Sequence, residues 1–169
     1  SSLASPEWMS RMDSIQEAGE DASFMSRVVA WKMSFILAMN HPFFGGGFKA
    51  LEYFPVWAEL SQDFNSYPFF YTGDALPNLH AGRAAHSIYF QVMGEHGFVG
   101  LAIYLSFLLT AYRTAARLAR RAAANVGVKW IENLAKMLQL SLFAFCLGGA
   151  ALNFAYFEVM FAVCAIILV

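Results

Sequence analysis

Charge is what this sequence has least of. Charged side chains make up 14% of its 169 residues, where a soluble domain carries about a quarter. The net charge is −1, so no basic excess points to nucleic acid, and none is expected as a partner. Cysteine is nearly absent. Cys146 and Cys164 both lie in apolar runs, which excludes a disulfide framework and reads as two buried thiols. No G-x-S-x-G is present, so a serine nucleophile elbow is excluded. The run Gly45-Gly46-Gly47 is not followed by a Lys-Ser/Thr pair, so it is not a P-loop. Residues 1–20 have neither a basic start nor an apolar core, and no secretory signal is read there. Internal repeats and low-complexity segments are missing too.

What is present is apolar. Hydrophobic residues reach 59%, with 17 phenylalanines and a mean hydropathy of +0.48, as in membrane and interfacial helices. The chain starts without Met and ends inside the apolar run 159–169. It reads as the C-terminal portion of a larger membrane protein.

Residues 1–20 read as a loop, broken by Pro6, Gly19 and scattered charges. Asp21 or Ser23 can cap a helix, and Phe24, Val28, Trp31, Phe35 and Ala38 then form a stripe at spacings of four and three. Pro42 ends that helix near Asn40. The helix suits a place at a membrane interface, or dipping into one, and equally plain packing on other helices. The three glycines make a tight turn. Its N–H groups can bind an anion, or it lets two elements approach closely. Residues 49–79 are aromatic but broken by Pro55, Pro68, Gly73 and Pro77. They read as a long folded loop with a short helix near 56–64. Their aromatics anchor the loop at the headgroup layer or stack on sugar rings.

From Phe98 the sequence turns apolar. Residues 97–116 are long enough to span a bilayer if Arg113 snorkels. Arg113, Arg117, Arg120, Arg121, Lys129 and Lys136 then stand against the single Glu132. This marks 113–136 as a cytoplasmic loop and puts 1–96 on the opposite side. Residues 137–169 would measure roughly 50 Å as one helix, too long for one span. A hairpin is expected, with helices over about 134–152 and 157–169. Gly148-Gly149-Ala150-Ala151 gives close helix contact, and Asn153 and Glu158 lie at the external turn. The expected fold class is all-α. It is a polytopic membrane protein fragment whose helical, loop-rich external segment, 1–96, bears the site and precedes three transmembrane helices.

Polar chemistry gathers in the stretch His80 to Gly100, at the mouth of the first apolar helix. His80 and His86 are six apart, which matches neither a helical pair nor a finger spacing. Glu95 and His96 are neighbours on different helix faces. No metal site and no cofactor are expected. A carboxylate pair drawn from Glu17, Asp21, Asp74 and Glu95 is conceivable, but nothing fixes its spacing. There remains a histidine beside arginine. A lone histidine is usually structural, but His86 has Arg83, Ser87 and Tyr89 around it. Histidine takes a proton near neutral pH, and arginine grips a phosphate with two parallel bonds. An acceptor hydroxyl and a phosphate leaving group call for that combination. Charges inside several helices would mark a transporter. Here the apolar runs are nearly charge-free, which favours surface chemistry over a transport or scaffold role.

One ordered set of motifs stands out: Arg27, Trp31, Pro42 and Gly45-Gly46-Gly47-Phe48, then His86-Ser87-Ile88-Tyr89-Phe90-Gln91, then Gly94-Glu95-His96-Gly97-Phe98-Val99-Gly100-Leu101. It resembles the O-antigen ligase and polymerase family, and within it the O-glycosylation ligases found with exosortase systems in Gram-negative bacteria. The resemblance runs from about Arg11 to about Glu158. It implies a multi-pass protein of the bacterial inner membrane with its site facing the periplasm. The implied activity is a metal-independent glycosyltransferase that moves a glycan from an undecaprenyl-diphosphate carrier to a hydroxyl of a lipid, protein or glycan acceptor. A polymerase using the same site is the near alternative. By resemblance, His86 matches the catalytic base and Arg27 the diphosphate-binding arginine. Arg83 is added as a second diphosphate contact because it lies close to His86. The departure is the absence of the upstream helices that would complete a lipid groove.

Overall fold

Pro42 stops the first helix where the sequence requires it, but that helix starts earlier than its apolar stripe. The computed structural model describes residues 6–68, 70–124 and 126–168, with side chains over 22–68, 70–124 and 127–168. Five α-helices follow in order: α1, Pro6–Asn40; α2, Phe54–Leu60; α3, Ile88–Ala123; α4, Lys129–Gly149; and α5, Glu158–Leu168. Short 3₁₀ turns cover Ala50–Glu52, Ser61–Ser66 and Val126–Val128. No strand occurs among the described residues, so the fold is all-α as expected.

Two expectations need correction. Residues 6–20 are helix rather than loop, so neither Asp21 nor Ser23 caps α1. The segment lacks an apolar period, but Glu7, Met9, Arg11, Met12, Gln16, Glu17 and Glu20 favour helix intrinsically. The basic stretch 113–136 is also mostly helical, and the link between α3 and α4 is confined to 124–128. The short helix expected near 56–64 is α2 running into a 3₁₀ turn, with Pro55 in its first turn, where its missing N–H costs nothing. The hairpin is present: α4 and α5 are joined by a turn over 150–157.

Ala22–Asn40 and Ile88–Ala123 are both long and apolar enough to cross a membrane. α4 and α5 carry exposed apolar side chains as well, among them Phe143, Leu147, Phe161 and Ile166.

α3 is bent, and helix lengths show why it must be. Its 36 residues would measure roughly 54 Å if straight, while the 21 residues of α4 measure roughly 31 Å. Yet both ends of α3 meet α4. Ile88 packs on Gly149, the Tyr89 hydroxyl donates to the Cys146 carbonyl at 2.8 Å, and Ala123 connects to Lys129 through five residues. The mismatch is absorbed at Gly97, whose φ of 68° and ψ of −170° belong to a region essentially restricted to glycine. Residues 88–96 therefore form a short leg set off from the axis of the rest. Residues 98–123 form the long leg that runs antiparallel to α4. A Cβ on Gly149 would fall 2.6 Å from Ile88 Cδ1, so this glycine lets the short leg cross the end of α4.

α1 accompanies the short leg in parallel. Trp31 stacks on Phe90, with centroids 5.2 Å apart. Gly94 lies against Ser34, and Phe35 meets Phe98 edge-on at 6.1 Å. One apolar cluster sits between α1 and the loop it supports, around Met33, Leu37, Trp57 and Ala85. A second lies between α3, α4 and α5, around Ile88, Tyr104, Leu142 and Cys164.

Candidate active site

The two glycine motifs form one joint. In an uninterrupted helix the carbonyls of Gly94 and Glu95 would accept from residues 98 and 99. Here Gly94 accepts from Gly46 N–H at 2.9 Å and Glu95 accepts from Gly47 N–H at 3.0 Å, while Phe98 N–H donates to Pro42 at 2.9 Å. The backbone groups freed by the bend are thus met by the turn after α1. The approach leaves no room for side chains. A Cβ on Gly45 would lie 2.5 Å from the Glu95 carbonyl carbon, and one on Gly97 would lie 2.5 Å from the Pro42 oxygen. Of the two readings open for the glycine run, the close-packing turn is the one observed, and two of its N–H groups are spent on it.

Beneath the joint lies a buried carboxylate. Glu95 is 5% exposed. Its Oε1 accepts from the Lys49 N–H at 3.0 Å and from Gln91 Nε2 at 3.5 Å, and its Oε2 accepts from the Tyr156 hydroxyl at 2.6 Å. Lys49 takes a left-handed backbone, φ 56°, to aim that N–H. Gln91 Oε1 in turn accepts from Ala155 N–H at 3.3 Å, and Tyr104 donates to the Ala155 carbonyl at 3.1 Å. Burial first, and then the bond to Glu95, push the Tyr156 hydroxyl well above its ordinary pKa. Phe48, His96 and Tyr156 stack edge-on in a triangle, with centroids 4.8, 5.3 and 5.9 Å apart. Asn153 Oδ1 is buried without a hydrogen-bond partner and lines the same small hollow as Glu95 and Gln91.

His86 stands at the edge of this assembly. It is exposed and immediately precedes Ser87, the N-cap of α3. Its backbone is left-handed, φ 50°, a conformation that costs a non-glycine residue roughly 1 kcal/mol or more. Ser87 is buried and makes no side-chain capping bond, while its carbonyl accepts from Gln91 N–H at 2.8 Å. The segment before it is fixed by Arg83 N–H, which donates to the Leu51 carbonyl at 3.2 Å. A Cβ on Gly82 would run into that same carbonyl.

The register of α1 on α3 locates Arg27. Trp31 pairs with Phe90 and Ser34 with Gly94. At about 100° per residue Arg27 falls between Trp31 and Ser34, on the face of α1 turned toward α3, while His86 lies before the first residue of that helix, Ile88. Arg83 lies elsewhere. It lines a cleft of about 180 Å³ with Met25, Ser26 and Val29 of α1. At about 100° per residue, Arg27 is turned roughly 150° away from that face. So the structure sets Arg27 and Arg83 on different faces of α1. His80 is exposed, and its N–H is held by Asn78 Oδ1 at 2.9 Å. No group of three or more His, Cys, Asp or Glu side chains placed to hold a metal occurs among the described residues.

A family model described as O-Antigen ligase matches residues 2–105. The chain belongs to the O-antigen ligase family. The match takes in α1, the glycine turn, His86, the bend and the start of the long leg, and leaves 106–169 outside it. Membership makes this a membrane protein of the ligase and polymerase type, acting on lipid-linked glycan. No curated protein and no solved structure matches this chain. Within the family's matched region, sequence reasoning missed the network around Glu95. The only local signal was the Gln91–Glu95 spacing, since the other partners lie 46 and 61 positions away.

Proposed function

We propose that this chain carries the acceptor-activating part of a glycosyltransferase. The enzyme would move a glycan from an undecaprenyl-diphosphate carrier to an acceptor hydroxyl on the periplasmic side of the inner membrane. The observation that carries the reading is His86 itself, exposed and held in a left-handed backbone immediately before the N-cap of α3. His86 is solvent-facing beside a helix terminus whose partial positive charge favours anions. Arg27 would supply a guanidinium from the face of α1 turned toward α3.

The chemistry is a single displacement. The acceptor oxygen forms a bond to the anomeric carbon as the bond from that carbon to the diphosphate oxygen breaks. His86 takes the acceptor's proton, and the electron pair leaves with the diphosphate. Arg27 and the terminus of α3 hold that charge. Arg83, on the far flank of α1, is an outer contact. A diphosphate departs without protonation, so one base suffices, and the anomeric configuration inverts. No metal enters the scheme. With a second lipid-linked glycan as acceptor the same steps would describe a polymerase, and an acceptor on protein would describe an O-glycosylation ligase.

The reading is tested with the full-length protein in vesicles, a purified lipid-linked donor and acceptors supplied one at a time. Transfer with inverted configuration that disappears in His86→Gln supports it. Retained configuration, or normal transfer by that variant, overturns it.

A further inference from the structure

Two stretches meet the length and composition of a membrane span, Ala22–Asn40 and Ile88–Ala123, but their geometry separates them. Residues 98–123 run alongside α4. α1 instead follows the short leg that Gly97 turns aside, and among α3, α4 and α5 it packs only on α3. α1 therefore does not share the direction that the long leg and α4 define.

The C-terminal end of α1 carries an apolar tip. Phe43, Phe44 and Phe48 are 66%, 86% and 71% exposed, a cluster that water-facing surfaces avoid. The tip is held in place by the Pro42–Phe98, Gly46–Gly94 and Gly47–Glu95 bonds. Phe98 opens the long leg, so the tip sits where that leg enters the bilayer. Phe48 leads on to His96 and Tyr156, which stand at the turn end of an almost wholly apolar groove of about 390 Å³ between α3 and α5. The exposed phenylalanines are therefore continuous with the lipid-facing surface of the spanning helices.

We propose that α1 is a surface helix and not a span, and that the Phe43–Phe48 tip inserts among phospholipid acyl chains. The leaflet is the one beside the turn 150–157. This assignment does not depend on the glycosyl-transfer reading. The partner is the acyl-chain region itself, which an interfacial element reaches at a depth of about 5–10 Å.

The test uses the full-length protein in phosphatidylethanolamine and phosphatidylglycerol vesicles. Phe44→Cys is labelled with an environment-sensitive fluorophore, Gln62→Cys serves as control, and the unsubstituted protein corrects for Cys146 and Cys164. With nitroxide-bearing acyl chains, the label at 44 should lose more than about half its emission, as expected at interfacial depth. The label at 62 should be nearly unaffected. In a second measurement Ser23→Cys and Asn40→Cys should react with an impermeant thiol reagent from the same side. The proposal is overturned if position 44 is not quenched, which includes shielding by a protein partner. It is equally overturned if positions 23 and 40 label from opposite faces.

Discussion

The Tyr156 hydroxyl donates to Glu95 Oε2 at 2.6 Å, tying the turn between α4 and α5 to the short leg that starts at Ile88. A bond to a buried charged acceptor contributes roughly 1.5–3 kcal/mol. Tyr156→Phe should therefore lower the thermal midpoint in detergent by several degrees. Glu95→Ala should cost more than Glu95→Gln, because alanine also orphans the Lys49 N–H. The tyrosine's pKa is raised above its ordinary value of 10.0 by burial and by Glu95. Its contribution is therefore complete below that pH and is lost as pH climbs toward the folded value. Tyr156→Phe should show a smaller alkaline loss of stability than the parent, read from midpoints measured across the alkaline range.

The bend at Gly97 should tolerate no side chain. Gly97→Ala combines a glycine-only conformation with a Cβ 2.5 Å from the Pro42 oxygen and should cost about 3 kcal/mol or more. Gly148→Ala is the matched control, since a Cβ there meets nothing within 4 Å, and it should change stability by less than about 0.5 kcal/mol. Midpoints of the two purified variants, compared in one detergent, decide the matter. Equal midpoints would refute the account of the bend.

His86 is expected to matter for turnover and not for donor binding. General-base assistance is worth about 10²–10⁴-fold, so His86→Ala and His86→Gln should lose transfer by that factor while folding and binding donor normally. His80→Ala should be close to the parent. Donor binding and turnover measured side by side on the three variants separate these outcomes.

Arg27 is expected to act on the donor. Arg27→Lys keeps the charge but not the two-pronged grip, and Arg27→Ala loses both. Donor affinity should fall by roughly tenfold for lysine and a hundredfold for alanine, the range for charge-assisted bonds. Arg83→Ala, altered on the opposite flank of α1, should fall by less than either. Titration of donor into each variant provides the comparison.

Sidedness follows from charge. Cysteines placed at the exposed positions Gln62 and Ala123 should differ in reactivity, with only position 62 labelled from outside spheroplasts by an impermeant reagent. The reverse pattern would invert the topology.

Much of this architecture was legible because it rests on local rules. Pro42 ends α1, Pro55 starts α2, and the excess length of residues 137–169 forces a hairpin. The start of α1 was not legible, because residues 6–20 form helix on propensity without an apolar stripe. The bend was hidden for a different reason. Hydropathy registers Gly97 as one more small residue before an apolar run, while its role depends on a backbone oxygen 55 positions earlier, at Pro42. The same distance hid Glu95, which reads as a lone charge until Lys49 and Tyr156 fold against it. His86 and Arg27 could be named as a pair from the family resemblance. That Arg27 lies on the face of α1 turned toward α3 became visible only once Trp31 was seen on Phe90.

The glycine joint also sets a rule for recombining such proteins. Its bonds run between backbone atoms of two segments 48 positions apart, Gly46 and Gly94, and its fit depends on missing side chains in both. A chimera that exchanges the loop after α1 alone, or the bent helix alone, inherits half of an interface with no side-chain code to repair it. Exchanges should succeed when crossover points keep residues 42–47 and 94–98 from one parent, whatever the origin of the sequence between them.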